Sequence, residues 1–286
     1  MRAAALSGAA VLLLAGTACG ERKEPTGPLV QVYPVTVQGA GERPAVVGGV
    51  PHRIVPLGAG PRQILKALGL QARIVKVNDS LVGLPLVAQI RHAKPDLILA
   101  SSDVDPLDLA RARSSTHAAV YVEPSGSLDD VAEAIGDIGL LTGKPVAARQ
   151  VTAKILRTRR GVEKRVSGAP VVSAFVDVGD FQTISAQSLL GDLVREARGT
   201  SVGGVSPEQG PFPLKRLVTL DPQAYIATSD GGTTLAKLRA NAVTKKLRAV
   251  HDGRFGILQA KLAAPGPEVG AALEEIARIL HPDAFR

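Results

Sequence analysis

Serine and aspartate follow short apolar runs at two corresponding places in the chain. Ser102 and Asp103 come after the first run, and Ser229 and Asp230 come after the second. Ligands of open parallel sheets bind beyond the carboxyl ends of the strands, so we expect these four side chains to line a small-molecule cleft. Further acids hold comparable positions at Asp105, Asp177 and Asp180. A cleft with these carboxylates favours a neutral or cationic ligand, unless the acids serve only as helix caps and turn residues.

Two glycines, Gly58 and Gly60, separate an apolar run from a helical pattern. A dinucleotide fingerprint would need a third glycine where Gln63 stands, so that kind of site is excluded. The two glycines can still bring the backbone close to a ligand at a helix N-terminus, although a tight turn explains them equally well. Asn78, which follows the next apolar run, joins the candidate ligand-binding residues.

Aromatic recognition is restricted, because aromatic residues make up 3% of the chain and there is no Trp. Phe181 and Phe212 are the aromatic residues nearest the expected cleft. They could stack on the face of a large planar ligand or pack in the core.

The sequence contains no recognisable catalytic or metal-binding pattern. Ser185 and Ser188 lack a histidine and an acid in an arrangement suited to hydrolysis. The histidines do not have the short spacing of a metal site. They are scattered along the chain, at His52, His92, His117, His251 and His281. We therefore expect neither an enzyme nor a protein with a resident metal or cofactor.

The N-terminus has the features of a targeting segment. Arg2 precedes an apolar run that is typical of a signal peptide and too short to span a bilayer. Small residues then lead to Cys19, the only cysteine, in an order that resembles the lipobox of bacterial lipoproteins. We expect residues 1–18 to be removed, Cys19 to be lipidated, and residues 19–45 to form a flexible tether. A plain secretory signal with an incidental cysteine is the alternative.

Beyond the tether, apolar runs alternate with helical patterns. Helices between strands imply parallel sheets covered on both faces, which is an α/β fold. Helical spacing that starts at Ser127 and resumes after Pro145 predicts a long helical connection, 127–168, between an N-terminal lobe, 46–126, and a C-terminal lobe, 169–286. The predicted strands lie at 53–57, 72–77, 96–100, 119–122, 171–176, 224–227 and 255–258.

The two lobes share a sequence echo. The segment Lys94–Asp103 aligns without a gap with Asp221–Asp230, and Pro, Ala, Ser and Asp coincide. Each segment has the form of a helix end, a Pro stop, a buried strand and a polar turn. The echo favours two related Rossmann-like lobes whose strand ends face each other across a ligand cleft.

Several short motifs occur in a fixed order along residues 50–283. They are Arg53–Leu57 with Ile64–Leu70, Lys94–Ala100, Val120–Val122, Ile135–Lys144, Asp221–Pro222, and Pro265–Pro267 with Leu273–Pro282. Together they resemble the class III periplasmic binding proteins of ABC importers for cobalamin and ferric siderophores. Each motif is weak alone, and their order carries the resemblance.

This resemblance implies two lobes joined by a stiff helix. It implies that the protein captures cobalamin, haem or an iron–siderophore complex and delivers it to an ABC permease. With the lipobox, it implies a lipid-anchored, extracytoplasmic protein, which we expect to be monomeric.

Some positions depart from the family pattern. Arg62-Gln63 stands where Thr-Glu is frequent, and Ala264 stands where an arginine often contacts anionic ligands. The glutamates that usually dock each lobe onto arginine pockets of the permease correspond to Ala88 and Lys215. Lys215 would repel such a pocket. These departures leave open a second function, a lipoprotein of the same fold that acts as a sensor or interaction subunit without transport.

The basic charge does not by itself indicate a nucleic-acid partner. The net charge is +8, but the basic residues are spread along the chain, with a modest cluster in the predicted connecting helix. No DNA- or RNA-binding signature accompanies them, so we expect no nucleic-acid binding.

Overall fold

Parallel strands form two separate sheets in the part of the chain that the computed structural model describes, residues 32–204 and 211–286. In chain order the strands are β1 (Val35–Val37), β2 (Ala45–Val47), β3 (Ile54–Leu57), β4 (Leu97–Ala100), β5 (Ala119–Val122), β6 (Val172–Asp177), β7 (Gly199–Ser201), β8 (Ala224–Thr228) and β9 (Phe255–Leu258). The N-terminal sheet has the order β3-β4-β5 and the C-terminal sheet the order β7-β6-β8-β9. Every pairing within these two sheets is parallel. The two-lobed α/β fold expected from the sequence is confirmed.

Helices cover both sheets. They are α1 (Ala59–Ala67), α2 (Leu84–Ala93), α3 (Pro106–Thr116), α4 (Leu128–Thr142), α5 (Pro145–Val166), α6 (Leu189–Glu196), α7 (Leu214–Leu220), α8 (Leu235–Ala240), α9 (Arg248–His251), α10 (Ala260–Ala263) and α11 (Val269–Leu280). Short 3₁₀ turns occur at Gln71–Arg73, Thr244–Lys246 and Pro282–Phe285. In the described ranges, no helix is both long and apolar enough to cross a membrane.

One apolar core runs through both lobes. It joins Leu99 of the N-terminal sheet, Ile138 of α4, Val162 of α5, Val176 of the C-terminal sheet and Leu273 of α11. Two further clusters fill the space between each sheet and its outer helices. Because α4 and α5 contribute buried residues to this shared core, they are a structural part of the folded body rather than a loose linker.

The break between α4 and α5 follows from local sequence. The Ser127 hydroxyl caps α4 by accepting a hydrogen bond from the Asp130 backbone N–H at 3.1 Å. At the other end Gly143 has φ +73°, a left-handed conformation that glycine adopts without strain. Pro145 then starts α5, a position where its missing N–H costs little.

The sequence echo has a structural counterpart in a clamp at the start of each sheet. In the N-terminal lobe, Arg53 N–H donates to Asp96 Oδ1 at 3.0 Å and Asp96 N–H donates to Arg53 O at 3.0 Å. In the C-terminal lobe, Ser173 N–H donates to Gln223 Oε1 at 3.0 Å and Gln223 N–H donates to Ser173 O at 2.9 Å. Equivalent residues therefore hold equivalent strands.

The strand predicted at 72–77 is wrong. Gln71–Arg73 forms a 3₁₀ turn, and the chain pairs with β3 only around Ile54, whose carbonyl accepts from Val75 N–H at 2.9 Å. The next β3 residue that faces this edge is Pro56, which has no N–H to donate. The ladder therefore stops after one bridge.

The predicted tether extends too far toward the folded body. Strand β1, Val35–Val37, lies inside the expected tether and pairs with β2 in antiparallel register. Both strands alternate buried and exposed residues, and their buried valines join the main core. Cys19, the predicted signal peptide and the tether up to residue 31 lie outside the described residues.

The shared core predicts a matched pair of stability effects on α5. Val162 is fully buried, whereas Val146 on the same helix is half exposed. We expect Val162→Ala to lower the free energy of unfolding by about 2–3 kcal/mol, because it leaves a cavity in the shared core. Val146→Ala should change it by less than about 0.5 kcal/mol. Urea denaturation of both variants measures the difference, and equal effects would contradict the shared core.

Candidate functional site between the lobes

The lobes touch where α1 meets the segment after β9. A Cβ on Gly60 would overlap both a carboxyl oxygen of Glu123 and the backbone oxygen of Pro265, so only glycine fits there. Beside it, Gln63 Nε2 donates to Lys261 O at 3.4 Å. Gly60 is thus explained by the close approach of the opposite lobe.

A second contact joins the lobes at the start of α4. The Leu128 backbone N–H donates to Asp192 Oδ2 of α6 at 2.9 Å. Asp192 is buried and also contacts Arg195. A carboxylate is favoured at this point because the first N–H groups of a helix carry partial positive charge.

Glu123, directly after β5, is a buried acid at the interface. Its side chain is fully buried, and neither carboxyl oxygen has a hydrogen-bond partner among the described residues. Burial raises the pKa of Glu123 to about 8, and the nearby Asp103 carboxylate adds to the rise. At neutral pH this group is therefore mostly protonated.

The N-terminal lobe brings its candidate residues together around Glu123. Ser102 and Asp103 are exposed at the end of β4. The Ser101 hydroxyl can donate to Asp103 Oδ1, and the Ser102 and Ser125 hydroxyl oxygens lie 2.7 Å apart. The carboxyl ends of β4 and β5 thus form one polar edge, as the parallel sheet predicts.

Gly58 forms a tight turn, one of the two explanations given for it. It has φ +105°, and a Cβ there would overlap the Ser101 side chain. Its N–H donates to Asp79 Oδ2 at 3.0 Å, and Asp79 pairs with Arg62 at 2.6 Å. Its N–H is therefore already bonded within the protein.

Asn78 lies beside β3, where it lines a groove of about 520 Å³. Its backbone N–H donates to the Gln89 side chain at 2.9 Å. The same groove is lined by Arg62, Lys66 and Lys76, so its charge differs from that of the acidic edge at Asp103.

In the C-terminal lobe, Ser229 and Asp230 are exposed at the end of β8. Ser229 Oγ accepts from Ala260 N–H at 3.0 Å and so holds the start of α10, which leads to the interface segment at Pro265. Ser229 therefore anchors one side of the lobe contact.

Two of the further acids have structural roles instead. Asp105 caps α3 by accepting from Leu107 N–H at 2.8 Å. Asp177 is fully buried and accepts from the Tyr225 and Thr233 hydroxyls, each at 2.7 Å. The expectation that Asp177 adds charge to the cleft is wrong, because its carboxylate points into the lobe.

The aromatic candidates pack within the C-terminal lobe. Phe212 is 2% exposed, and its ring centroid lies 5.4 Å from that of Phe175. It is a core side chain and not a stacking surface. Phe181 is partly buried against the same cluster, in a turn where both it and Asp180 have positive φ.

Metal ligands do not cluster in the described part of the chain. No group of three or more His, Cys, Asp or Glu side chains there could hold an ion.

Comparison with known proteins identifies the family. The sequence model described as "Periplasmic binding protein" matches residues 83–262, which is more than half of the chain. This chain belongs to that family. The resemblance inferred from the ordered motifs, to substrate-binding proteins of ABC importers, is thereby confirmed.

Relatives span nearly the whole chain. An "Uncharacterized ABC transporter substrate-binding lipoprotein YvrC" of Bacillus subtilis is 23% identical, over 99% of this chain and 97% of its own length. The vitamin B12 binding protein BtuF of Vibrio cholerae has a TM-score of 0.69 at 18% identity, covering 82% of this chain and 98% of its own.

Two other solved structures share the fold. Helicobacter pylori CeuE with Ni(II) bound has a TM-score of 0.77 at 15% identity, covering 88% of this chain and 90% of its own. A protein of an Fe³⁺-hydroxamate transport system from Saccharomonospora viridis has a TM-score of 0.69 at 19% identity, covering 89% and 99%.

The buried acid predicts a pH-dependent stability difference. The folded pKa of Glu123 lies above its ordinary value of 4.5, so its contribution to stability is complete below about pH 4.5 and is lost as the pH rises toward 8. Relative to Glu123→Gln, the wild-type free energy of unfolding should fall by at most about 1.4 kcal/mol per pH unit in this window.

Urea denaturation at several values between about pH 5 and pH 8 measures this slope. Glu163→Gln, which removes an exposed acid from α5, is the matched control and should track the wild type. Parallel profiles for Glu123→Gln and wild type would show that Glu123 is not a buried neutral acid.

Proposed function

We propose that this protein is the substrate-binding component of an ABC importer and captures an iron–siderophore complex, cobalamin or haem. The observation that carries the proposal is the meeting of the two lobes at Gly60 and Pro265, next to the polar carboxyl edges of β4 and β5. A ligand held there would contact both lobes and could stabilise their association. The ligands named for BtuF and for the Fe³⁺-hydroxamate transport system support this range of substrates.

The charge of the edge narrows the choice of ligand. Asp103 and Asp230 are exposed at equivalent strand ends, and Glu123 lies behind Asp103. Carboxylates repel a strongly anionic complex and attract a cationic one. A neutral or cationic complex is therefore the favoured cargo, with Ser102 and Ser229 as polar contacts.

Delivery requires a permease that accepts this surface. Ala88 on α2 and Lys215 on α7 are both exposed, at the positions expected to dock. Lys215 would pair with an acidic site on the permease rather than an arginine pocket. We expect α2 and α7 to dock onto the permease, with an acidic site of the permease opposite Lys215.

The N-terminal sequence supports placement outside the cytoplasm. The Bacillus subtilis relative of this chain is described as a lipoprotein. Cys19 is the residue proposed to carry the lipid, which would hold the folded body at the membrane surface.

A thermal-shift panel tests the binding function. The mature chain from residue 19, with Cys19→Ala to keep it soluble, is mixed with cobalamin, haem and ferric siderophores of different charge. A ligand at a hundred times its dissociation constant should stabilise the native state by about 2.7 kcal/mol, which raises the melting temperature by several degrees. No shift with any compound would contradict the proposal.

The same panel assigns the site. Asp103→Asn should weaken the shift with the bound compound, because it removes a charge from the proposed cleft. Asp283→Asn, which removes an exposed acid near the C-terminus, is the control and should leave the shift unchanged. An unchanged shift in Asp103→Asn would exclude this edge as the site.

Lipidation is tested separately by cell fractionation of the full-length protein. We expect wild-type protein in the membrane fraction and Cys19→Ala in the soluble fraction, because a lipid chain supplies the hydrophobic anchor. Wild-type protein that is found in the soluble fraction would contradict lipidation without affecting the binding function.

A further inference from the structure

Oxygen atoms surround the Glu123 carboxyl group. One carboxyl oxygen lies against the Gly60 backbone, and the Pro265 carbonyl oxygen of the other lobe borders the same point. Asp103 is the charged group that acts on it, and it is another acid. A buried polar group normally has a hydrogen-bond partner, so two unpartnered carboxyl oxygens at the lobe interface call for an explanation.

In the described structure, the cations on the neighbouring elements do not pair with Glu123. Arg62 on α1 donates to Asp79 at 2.6 Å. Lys261 on α10 acts on Glu275, whose pKa is raised by burial and lowered by Lys261 and Arg278. Neither forms a salt bridge with Glu123 in the described structure. Glu123 therefore has no cationic partner among the described residues, and the negative charge of Asp103 lies nearby.

We infer that Glu123 anchors a primary ammonium group of the transported ligand, with Asp103 and the Pro265 carbonyl as the further acceptors. This inference rests on the proposed function and names the chemistry that its site selects. An ammonium group has one positive charge and three N–H donors, which matches these three acceptors. A calcium ion would require six to eight oxygen ligands, more than this set supplies.

Access to the anchor depends on the lobe contact. The Pro265 segment covers Glu123, so the ligand reaches it when this segment separates from α1. The hydrogen bond from Gln63 Nε2 to Lys261 O, which crosses this contact, is long at 3.4 Å. Separation at this point breaks this long hydrogen bond, and the Leu128–Asp192 bond can persist.

Binding of the ammonium group is linked to proton release. Glu123 is mostly protonated at neutral pH, and a bound cation favours its carboxylate form, so the proton passes to solvent. The Asp103 carboxylate adds to the rise in the pKa of Glu123, whereas Arg62 donates to Asp79 and Lys261 acts on Glu275. Affinity should therefore rise by up to tenfold per pH unit as the pH approaches 8.

A matched ligand pair tests the inference by isothermal titration calorimetry. Ferrioxamine B is a ferric trihydroxamate with one free primary ammonium group, and its N-acetylated form lacks that charge. With the mature chain carrying Cys19→Ala, we expect ferrioxamine B to bind at least about tenfold tighter than the acetylated form. Titrations in buffers of different ionisation enthalpy should show up to one proton released with ferrioxamine B only.

Variants assign the preference to Glu123. Glu123→Gln should bind both compounds with similar affinity. Asp252→Asn, which removes an exposed acid next to α9, should keep the wild-type preference. If Glu123→Gln does not fold, the comparison of the two compounds with the wild-type protein still tests the inference. Glu123→Asp, which retains the charge on a shorter side chain, then replaces Glu123→Gln.

Each remaining outcome contradicts the ammonium anchor, the proposed import function, or both. Equal wild-type affinity for the two compounds, or a preference that survives in Glu123→Gln, overturns the ammonium anchor. Binding of haem or cobalamin without binding of ferrioxamine B overturns the anchor and leaves the proposed import function standing. No binding of any of the four compounds overturns both.

Discussion

A single apolar core, to which α4, α5 and strands of both sheets contribute, is the constraint on which the molecule depends. A sheet with apolar faces must bury them, and here buried residues of α4, α5 and α11 belong to the same core as strands of both lobes. The lobes are therefore set by a continuous close-packed core, which resists deformation. Arg159 of α5 adds polar ties, because it contacts Asp129 of α4 at 2.8 Å and Glu196 of α6 at 2.6 Å. The part of the lobes that can still move lies away from this core, at the edge that contains the polar strand ends and Glu123.

Much of this architecture could be predicted because its signals are local. The Ser127 cap, the break before Pro145 and the closing helix Val269–Leu280 each follow from a few adjacent residues. The echo predicted related lobes, and the Asp96 and Gln223 clamps show why the residue after each Pro is polar. The failures depend on neighbours distant in sequence. A propensity for strand at 72–77 cannot reveal that Pro56 faces it, and the three residues of β7 are too few to show a period.

The candidate site was predicted in position better than in detail. Parallel topology correctly implied that Ser102 and Asp103 lie at a carboxyl edge, since strand direction alone determines this. The role of each acid depends on its surroundings, and so Asp177 proved internal. Glu123 was missed although it follows a strand in the same manner. Its significance arises from burial by Pro265, a contact between lobes that no local pattern contains.

The outer edge of β3 has a consequence for contacts between copies of this chain. An unpaired strand edge offers a template on which a second chain can add a strand, and the risk grows with local concentration. Ile54 is already bonded to Val75, and Pro56, the next residue facing outward, offers no amide hydrogen. A strand from another copy would find this edge without the donor it needs to continue. The proline that ends the predicted strand at 72–77 therefore also discourages the growth of a sheet between molecules.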